Sequence, residues 1–263
     1  MAITISFLNF KGGVGKTTST VNLAKALHMM KRKVLVVDAD AQGNSSRMMG
    51  FRMEKDKVNT LYEVLAGTAD IKETILMEND HDDSFDYVPA TTSLYNSEQE
   101  LVSRTGREML LKRALDEVNS FYDYILIDCP PNNGLVTVNT MYASDYLIIP
   151  INCEVFALDG MGVITAKYEE VKKLLNPRLE ILGYVLSRYD RRLSLHKEAL
   201  RQMEKAFPDK VFQTRIRTNI QLAESPARRM NIFDYAPESN GAEDYRKLAK
   251  ELIKKIEKEY GKE

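Results

Sequence analysis

The sequence predicts an α/β protein with a mostly parallel, twisted sheet that is covered by helices on both faces. One observation and one general rule support this fold class. Short apolar segments alternate along the chain with stretches of helical periodicity, and strands that are joined through helices run parallel in one sheet. With 263 residues, 44% of them hydrophobic, the chain can bury one large core. No internal repeat or linker interrupts it, so we expect a single domain over residues 1–263.

The predicted elements are strands of four to eight residues and longer amphipathic helices. The strands are expected at Ala2 to Asn9, Val34 to Val37, Tyr124 to Ile127, Tyr146 to Ile149 and Ile181 to Leu186. The helices are expected at Lys16 to Met30, Glu108 to Val118, Gly160 to Leu175, Leu195 to Ala206 and Ala242 to Tyr260. The last helix has an apolar stripe that we expect to pack on the sheet.

The stretch from Glu54 to Glu100 is the least regular part of the chain and is strongly acidic. Its run Glu-Asn-Asp-His-Asp-Asp at 78–83 is expected to form a solvated loop. Elsewhere, no apolar run approaches the ~20 residues that cross a bilayer. The start of the chain lacks the pattern of a signal peptide. Cys129 and Cys153 suit a reducing compartment, so we expect a cytoplasmic protein.

Charge is distributed unevenly although the net charge is only −1. From Ser187 to Arg229 there are eleven Lys or Arg residues and five acidic residues, a net +6, while the rest of the chain carries −7. A basic segment on an otherwise acidic protein is typical of a surface that faces a polyanion.

The glycine-rich segment between the first strand and the first helix predicts a phosphate site. It reads Lys11-Gly12-Gly13-Val14-Gly15-Lys16-Thr17-Thr18. Backbone N–H groups of such a loop and the start of the helix point at phosphate oxygens. Lys16 is expected to bridge the β- and γ-phosphates, and the Thr17 hydroxyl to bind Mg²⁺. The sequence therefore predicts a P-loop that binds the phosphates of a nucleotide together with Mg²⁺.

The loop departs from the standard motif at its start. Phe10 occupies the position of the first glycine, and a second lysine, Lys11, follows it. In this respect the loop resembles the deviant Walker A loop of the ParA/MinD group of ATPases. The resemblance implies that Lys11 reaches the nucleotide of a partner subunit, so that ATP joins two subunits into a homodimer.

Two carboxylate segments extend this resemblance. Asp38-Ala39-Asp40 follows the second strand, where the group has its switch segment, and Asp128 ends a strand that looks like a Walker B strand. The resemblance implies that Asp40 orients the attacking water, with Lys11 and Lys16 neutralising charge. It implies that Asp128 holds Mg²⁺ through a water, and that Asp38 belongs to the Mg²⁺ or switch network.

Nearly the whole chain resembles the short form of the ParA/Soj partition ATPases. The similar segments include Val88-Pro89-Ala90, Ile148 to Glu154, Gln221 to Pro226 and Gly241 to Tyr245. The resemblance implies an ATP-bound dimer that binds double-stranded DNA without sequence preference, associates with the nucleoid and is released by a ParB-like partner. It places a DNA-binding arginine at Arg192, beside Arg191.

Three positions depart from the ParA/Soj pattern. Thr218 stands where a second DNA-binding arginine is expected, and Arg229 and Asn231 replace a usual glycine and proline. Arg217 or Arg215 would have to substitute for the arginine missing at Thr218.

Two other functions remain open on the sequence. One is a MinD-like ATPase on a membrane surface, which the plain last helix disfavours. The other is a regulator in which ATP binding alone switches a protein surface. For the partition function we expect slow hydrolysis that a partner stimulates, because a switch must persist long enough to act.

Overall fold

The computed structural model describes residues 1–52, 58–78, 84–153 and 160–260. A seven-stranded sheet forms its centre. The strands are β1 Ile3–Phe7, β2 Val34–Asp38, β3 Leu76–Met77, β4 Asp86–Val88, β5 Tyr124–Asp128, β6 Tyr146–Asn152 and β7 Glu180–Ser187. Their order in space is β3-β4-β2-β5-β1-β6-β7. Among the strands described, β3 and β4 pair antiparallel and all other neighbours pair parallel.

Helices connect most of the strands. They are α1 Lys16–Met29, α2 Asn44–Met48, α3 Leu61–Ala66, α4 Leu94–Glu100, α5 Leu110–Asp116, α6 Leu135–Ala143, α7 Met161–Leu174, α8 Ser194–Ala206, α9 Ile220–Glu224, α10 Ile232–Tyr235 and α11 Asn240–Tyr260. Short 3₁₀ helices lie at Ile71–Glu73, Arg107–Met109, Asn119–Phe121 and Ser225–Arg228.

The sheet buries both of its faces. Successive residues of β2 alternate between two hydrophobic clusters, with Leu35 in one and Val36 in the other. Helices α5, α6 and α7 cover the first face, and α1 and α11 cover the second. Since successive side chains of a strand point to opposite faces, this alternation confirms the predicted α/β fold with helices on both faces.

The apolar stripe of α11 is buried, as predicted. Leu248, Leu252 and Ile256 are almost completely inaccessible to solvent, and the helix packs mainly against α1. The Tyr245 hydroxyl lies 3.2 Å from the Ser19 hydroxyl of α1. Among the described residues, no helix has the length and apolar character needed to cross a membrane.

The stretch from Glu54 to Glu100 contains more regular structure than expected. Two helices and two strands lie in its described part, among them the edge strand β3. These strands have two and three residues, too few for a periodic pattern to show. The acidic run expected to form a solvated loop falls mostly outside the described residues, since 79–83 are not among them. The other predicted elements are confirmed, with ends shifted by a few residues.

Candidate functional site

Three strand ends bring the predicted phosphate, switch and magnesium residues together. In the sheet register, Phe7 of β1 and Asp38 of β2 each pair with Asp128 of β5. The loop after β1 carries Lys11 to Thr18, and the segment after β2 carries Asp40. Parallel strands therefore place these groups at one edge of the sheet, where ligands bind in open α/β folds.

Two glycines give the glycine-rich loop a left-handed backbone. Gly13 and Gly15 adopt φ of 73° and 91°, in the left-handed region that glycine tolerates at little cost. A Cβ added to Gly15 would lie 3.6 Å from the Cβ of Ser187 at the end of β7. The Ser187 hydroxyl is within 2.8 Å of the Val14 carbonyl and 3.2 Å of the Ile151 carbonyl, as a donor. Ser187 thus joins the loop to β6 and β7.

Two further contacts fix the start of the loop. The Asn9 side chain donates to the Pro150 carbonyl (2.8 Å) and accepts from the Lys11 N–H (2.9 Å). The Lys16 ammonium is buried and donates to the Asn9 carbonyl at 2.9 Å. It also lies 3.4 Å from the Lys11 carbonyl, so the Lys16 side chain curls back over its own loop.

Asp128 lies at the centre of the site and is fully buried. Its Oδ2 accepts hydrogen bonds from the Thr17 hydroxyl at 2.7 Å and the Ser45 hydroxyl at 2.5 Å. Its Oδ1 is buried and has no hydrogen-bond partner among the residues that the structure describes. An unpaired buried carboxylate oxygen is costly, and Mg²⁺ prefers oxygen ligands. Thr17 and Asp128 therefore fit a magnesium ion, as the sequence predicts.

Asp38 is also fully buried and holds the segment that follows β2. Its Oδ2 accepts from the backbone N–H and the hydroxyl of Ser46, at 2.8 and 2.7 Å. The Ser46 hydroxyl oxygen in turn accepts from the Ala90 N–H at 2.9 Å. These bonds connect β2, α2 and the loop after β4. The side chain therefore takes part in the network of the predicted switch segment.

The two buried carboxyl groups have raised pKa values. Burial is the main cause for both, and the charge of Asp128 raises the pKa of Asp38 further. Hydrogen bonds from Ser45 and Thr17 and the charge of Lys16 act in the opposite direction on Asp128. A cation held at this position would favour the ionised carboxylates.

Asp40, the predicted water-orienting residue, lies in the segment between β2 and α2. Its Oδ1 accepts from the Gln42 N–H at 3.0 Å, and it borders a cavity of about 90 Å³ together with Pro130 and Tyr95. The Gln42 side chain donates to the Tyr95 hydroxyl at 2.5 Å. Asp40 is thus held at the rim of a small space.

Lys11, the predicted partner-reaching lysine, is exposed. Its ammonium has no hydrogen bond or ion pair with any residue in the described part of the chain. Its backbone N–H is bonded to Asn9. The side chain is available to a group from outside the subunit.

The predicted DNA-binding arginines lie in different surroundings. Arg191 and Arg192 are exposed in the turn between β7 and α8. The Arg192 side chain is 85% exposed and forms a two-pronged ion pair with Asp190, whose pKa it lowers to about 2. Both arginines lie within five residues of Ser187, which contacts the phosphate loop.

Arg217 and Arg215 are bound to acidic side chains of the same chain. Arg217 donates to the buried Asp244 and to Glu243, each at 2.6 Å. Arg215 donates to Glu204 at 3.3 Å and lies over the Tyr189 ring. Its Nε is buried and has no partner in the described part of the chain. Neither guanidinium is presented freely to a DNA phosphate. Their role as replacements for an arginine at Thr218 stays a prediction.

Several residues of the site escape sequence reasoning. Ser45, Ser46 and Ser187 each bind a key carboxylate or carbonyl, yet isolated serines give no motif. Gly43 is the one residue here that the sequence could have indicated, because a glycine within the switch segment suggests a backbone position that only glycine tolerates. It adopts φ of 62°, and a Cβ there would lie 2.7 Å from the Ala90 carbonyl oxygen.

Comparisons with known proteins agree with this geometry. Residues 2–181 match a family described as an AAA domain. The chain is 42% identical over 251 residues to the sporulation initiation inhibitor protein Soj of Bacillus subtilis, covering 94% of this chain and 97% of that protein. It is 40% identical over 253 residues to the chromosome-partitioning ATPase Soj of Treponema pallidum, covering 96% and 98%.

One solved structure extends the agreement to a bound ligand. The crystal structure of cobyrinic acid a,c-diamide synthase from Mycobacterium smegmatis, with bound ADP and magnesium, is 30% identical in sequence to this chain. It superposes with a TM-score of 0.86 over 98% of this chain and 96% of that one.

Proposed function

The chain belongs to the Soj/ParA family of P-loop partition ATPases, and from that membership we propose that it is an ATP-dependent dimer that moves DNA. Its cofactors are ATP and Mg²⁺, and its reaction is ATP hydrolysis. Bound to ATP, the dimer would hold double-stranded DNA without sequence preference. A ParB-like partner would stimulate hydrolysis and release it. One domain over residues 1–263 would carry all of these activities.

The observation that carries the proposal is the link between the phosphate loop and the Arg191–Arg192 turn. Ser187 holds the Val14 carbonyl, and Arg191 and Arg192 follow on the same strand end. A nucleotide that reorders the loop can therefore shift the turn. Arginine contacts to phosphates supply affinity without reading sequence.

Within the site, the chain's own residues do the positioning. The loop N–H groups and Lys16 would bind the β- and γ-phosphates. Thr17 and Asp128 would hold Mg²⁺, which when bound would supply positive charge beside the transferred phosphoryl group. Asp38 holds α2 through Ser46, and Asp40 orients the attacking water. The exposed Lys11 reaches the nucleotide of the other subunit.

The burial of the apolar stripe of α11 favours DNA over a membrane as the surface that this protein binds. Leu248, Leu252 and Ile256 are buried against the core, so these residues of the stripe are not available to lipid. Binding to DNA would place the protein on the nucleoid.

DNA affinity measured by fluorescence anisotropy tests the proposal. The arms are no nucleotide, ADP and ATP, each with wild type, Arg192→Ala and Arg113→Ala. Arg113 is an exposed arginine on α5 outside the basic segment, and serves as the matched control. We expect ATP to tighten binding in wild type and in the control but not in Arg192→Ala, with a steep loss of affinity as salt rises. Equal affinity in all three nucleotide states would refute the proposal.

Dimerisation and hydrolysis are tested separately. With Mg-ATP, Asp40→Ala is expected to accumulate as a dimer in light scattering, because it binds ATP and does not hydrolyse it. Lys11→Ala is expected to bind ATP and stay monomeric. Unstimulated turnover near that of kinases, about 1–100 per second, would contradict the switch. If the Asp40→Ala variant still supported partition in cells, hydrolysis would not be needed. The protein would then act as a regulator that ATP binding alone switches.

A further inference from the structure

A basic cavity lies beside the switch segment and apart from the phosphate loop. Its volume is about 380 Å³, within the range of small-molecule sites. Arg47, Arg52 and Arg229 line it together with the backbone of 41–43 and the threonines at 91 and 92. None of its described lining residues is acidic, and none belongs to the phosphate loop.

Arg229 is the unusual member of this set. It adopts φ of 55°, a left-handed conformation that is unfavourable for a side chain other than glycine. This chain therefore has an arginine at a position whose backbone suits glycine. Its guanidinium has no hydrogen bond or ion pair within the part of the chain that the structure describes. The backbone conformation belongs to the end of the 3₁₀ helix Ser225–Arg228, where the Arg229 N–H donates to the Pro226 carbonyl at 3.0 Å. It is the guanidinium, without an internal partner among the described residues, that is available to an external ligand.

We propose that this cavity binds a small phosphate-bearing molecule at a site distinct from the ATP site. Three guanidinium groups around one concave space match an anion with several oxygens, since arginine donates to phosphate in a forked geometry. The threonine hydroxyls can donate further hydrogen bonds. A concave space of this size suits a small polyanion better than the broad backbone of a duplex.

The bound anion would act on the switch segment. The Arg47 guanidinium donates to the carbonyl of Gln42, and the Gln42 N–H donates to Asp40. An anion in the cavity competes with that carbonyl for Arg47. Binding therefore loosens the segment that carries the water-orienting carboxylate, and couples the cavity to the ATP site.

Inorganic pyrophosphate is a suitable probe, with the phosphate loop first saturated by Mg-ADP. Calorimetry is performed on wild type, Arg229→Gly and Arg228→Gly; Arg228 is exposed, does not line the cavity and carries the same charge. We expect Arg229→Gly to weaken pyrophosphate binding by about tenfold or more, as for the loss of one charge-assisted hydrogen bond. Arg228→Gly should bind like wild type. Because glycine tolerates the left-handed backbone, the melting temperature of Arg229→Gly should not fall.

Three results would overturn the assignment: no binding to the ADP-saturated wild type, equal binding by Arg229→Gly, or release of a fluorescent ADP analogue by pyrophosphate. Displacement of pyrophosphate by a short DNA duplex would assign the cavity to a DNA surface instead. Hydrogen exchange of residues 41–47 should quicken when pyrophosphate binds wild type. Unchanged exchange despite binding would refute the coupling to the switch. ADP affinity is measured in each variant, so these outcomes are independent of the proposed partition activity.

Discussion

Replacing Gly43 by alanine should destabilise the protein through a single added methyl group. Gly43 has φ of 62°, and the new Cβ would lie 2.7 Å from the Ala90 carbonyl oxygen. That oxygen belongs to backbone, and the Ala90 N–H is fixed by its bond to the Ser46 hydroxyl. The clash therefore cannot be relieved by rotating a flexible side chain.

The magnitude follows from two contributions. A non-glycine residue in the left-handed region costs about 1–2 kcal/mol, and forcing a methyl group into filled space costs about 1–3 kcal/mol. Together they lower the free energy of unfolding by about 2–5 kcal/mol. For a chain of this size that corresponds to a fall in melting temperature of about 4–20 °C.

Thermal denaturation without nucleotide, followed by circular dichroism, measures the effect. Gly162→Ala is the matched control, because Gly162 is exposed on α7 and an added Cβ meets nothing within 4 Å. Alanine there should stabilise the helix by up to about 1 kcal/mol. A fall of less than about 2 °C for Gly43→Ala, the effect of well under 1 kcal/mol, would refute the reasoning.

Three further substitutions test the polar contacts of the structure. Asp128→Asn should raise the melting temperature of the nucleotide-free protein, because burial disfavours the charged carboxylate, as its raised pKa shows, and the amide carries no charge. The same substitution should abolish the Mg²⁺-dependent tightening of ATP binding. Calorimetry checks both results. Asn231→Ala removes the cap of α10 and a 2.7 Å bond to the buried Glu78, so urea denaturation should show a loss of about 2–4 kcal/mol. Arg217→Ala should lower the melting temperature, because it leaves the buried Asp244 without its ion-pair partner. Arg192→Ala should not lower it, since that side chain is 85% exposed. Equal melting temperatures for the two variants would contradict a stabilising pair between Arg217 and Asp244.

The sequence alone predicts the long helices, the continuous apolar strands and the glycine-rich loop. β2 and β5 are uninterrupted buried strands, so their composition alone distinguishes them from helices, and both end in the expected aspartate. The phosphate loop was recognisable because its chemistry requires glycines and a lysine at fixed spacing. β4 was missed because three residues that begin with Asp86 carry no periodic signal.

Contacts between distant parts of the chain were beyond sequence reasoning. Ser187 and Val14 are 173 positions apart and meet only because β7, β6 and β1 are adjacent in the sheet. The pairing of Arg217 with Asp244 likewise depends on where α11 docks. For this reason the nucleotide residues could be inferred from the pattern, whereas the surroundings of the basic residues could not.

The hydroxyl of Ser187 limits which substitutions this position can accept during evolution. One donor serves two carbonyls, one in the phosphate loop and one in β6. A substitution at this position that cannot donate would leave the Val14 carbonyl without that bond, at the same place where the chain turns toward Arg191 and Arg192. Lineages that remodel the arginine turn are therefore expected to keep a small hydroxyl residue at 187, or to alter the phosphate loop together with it.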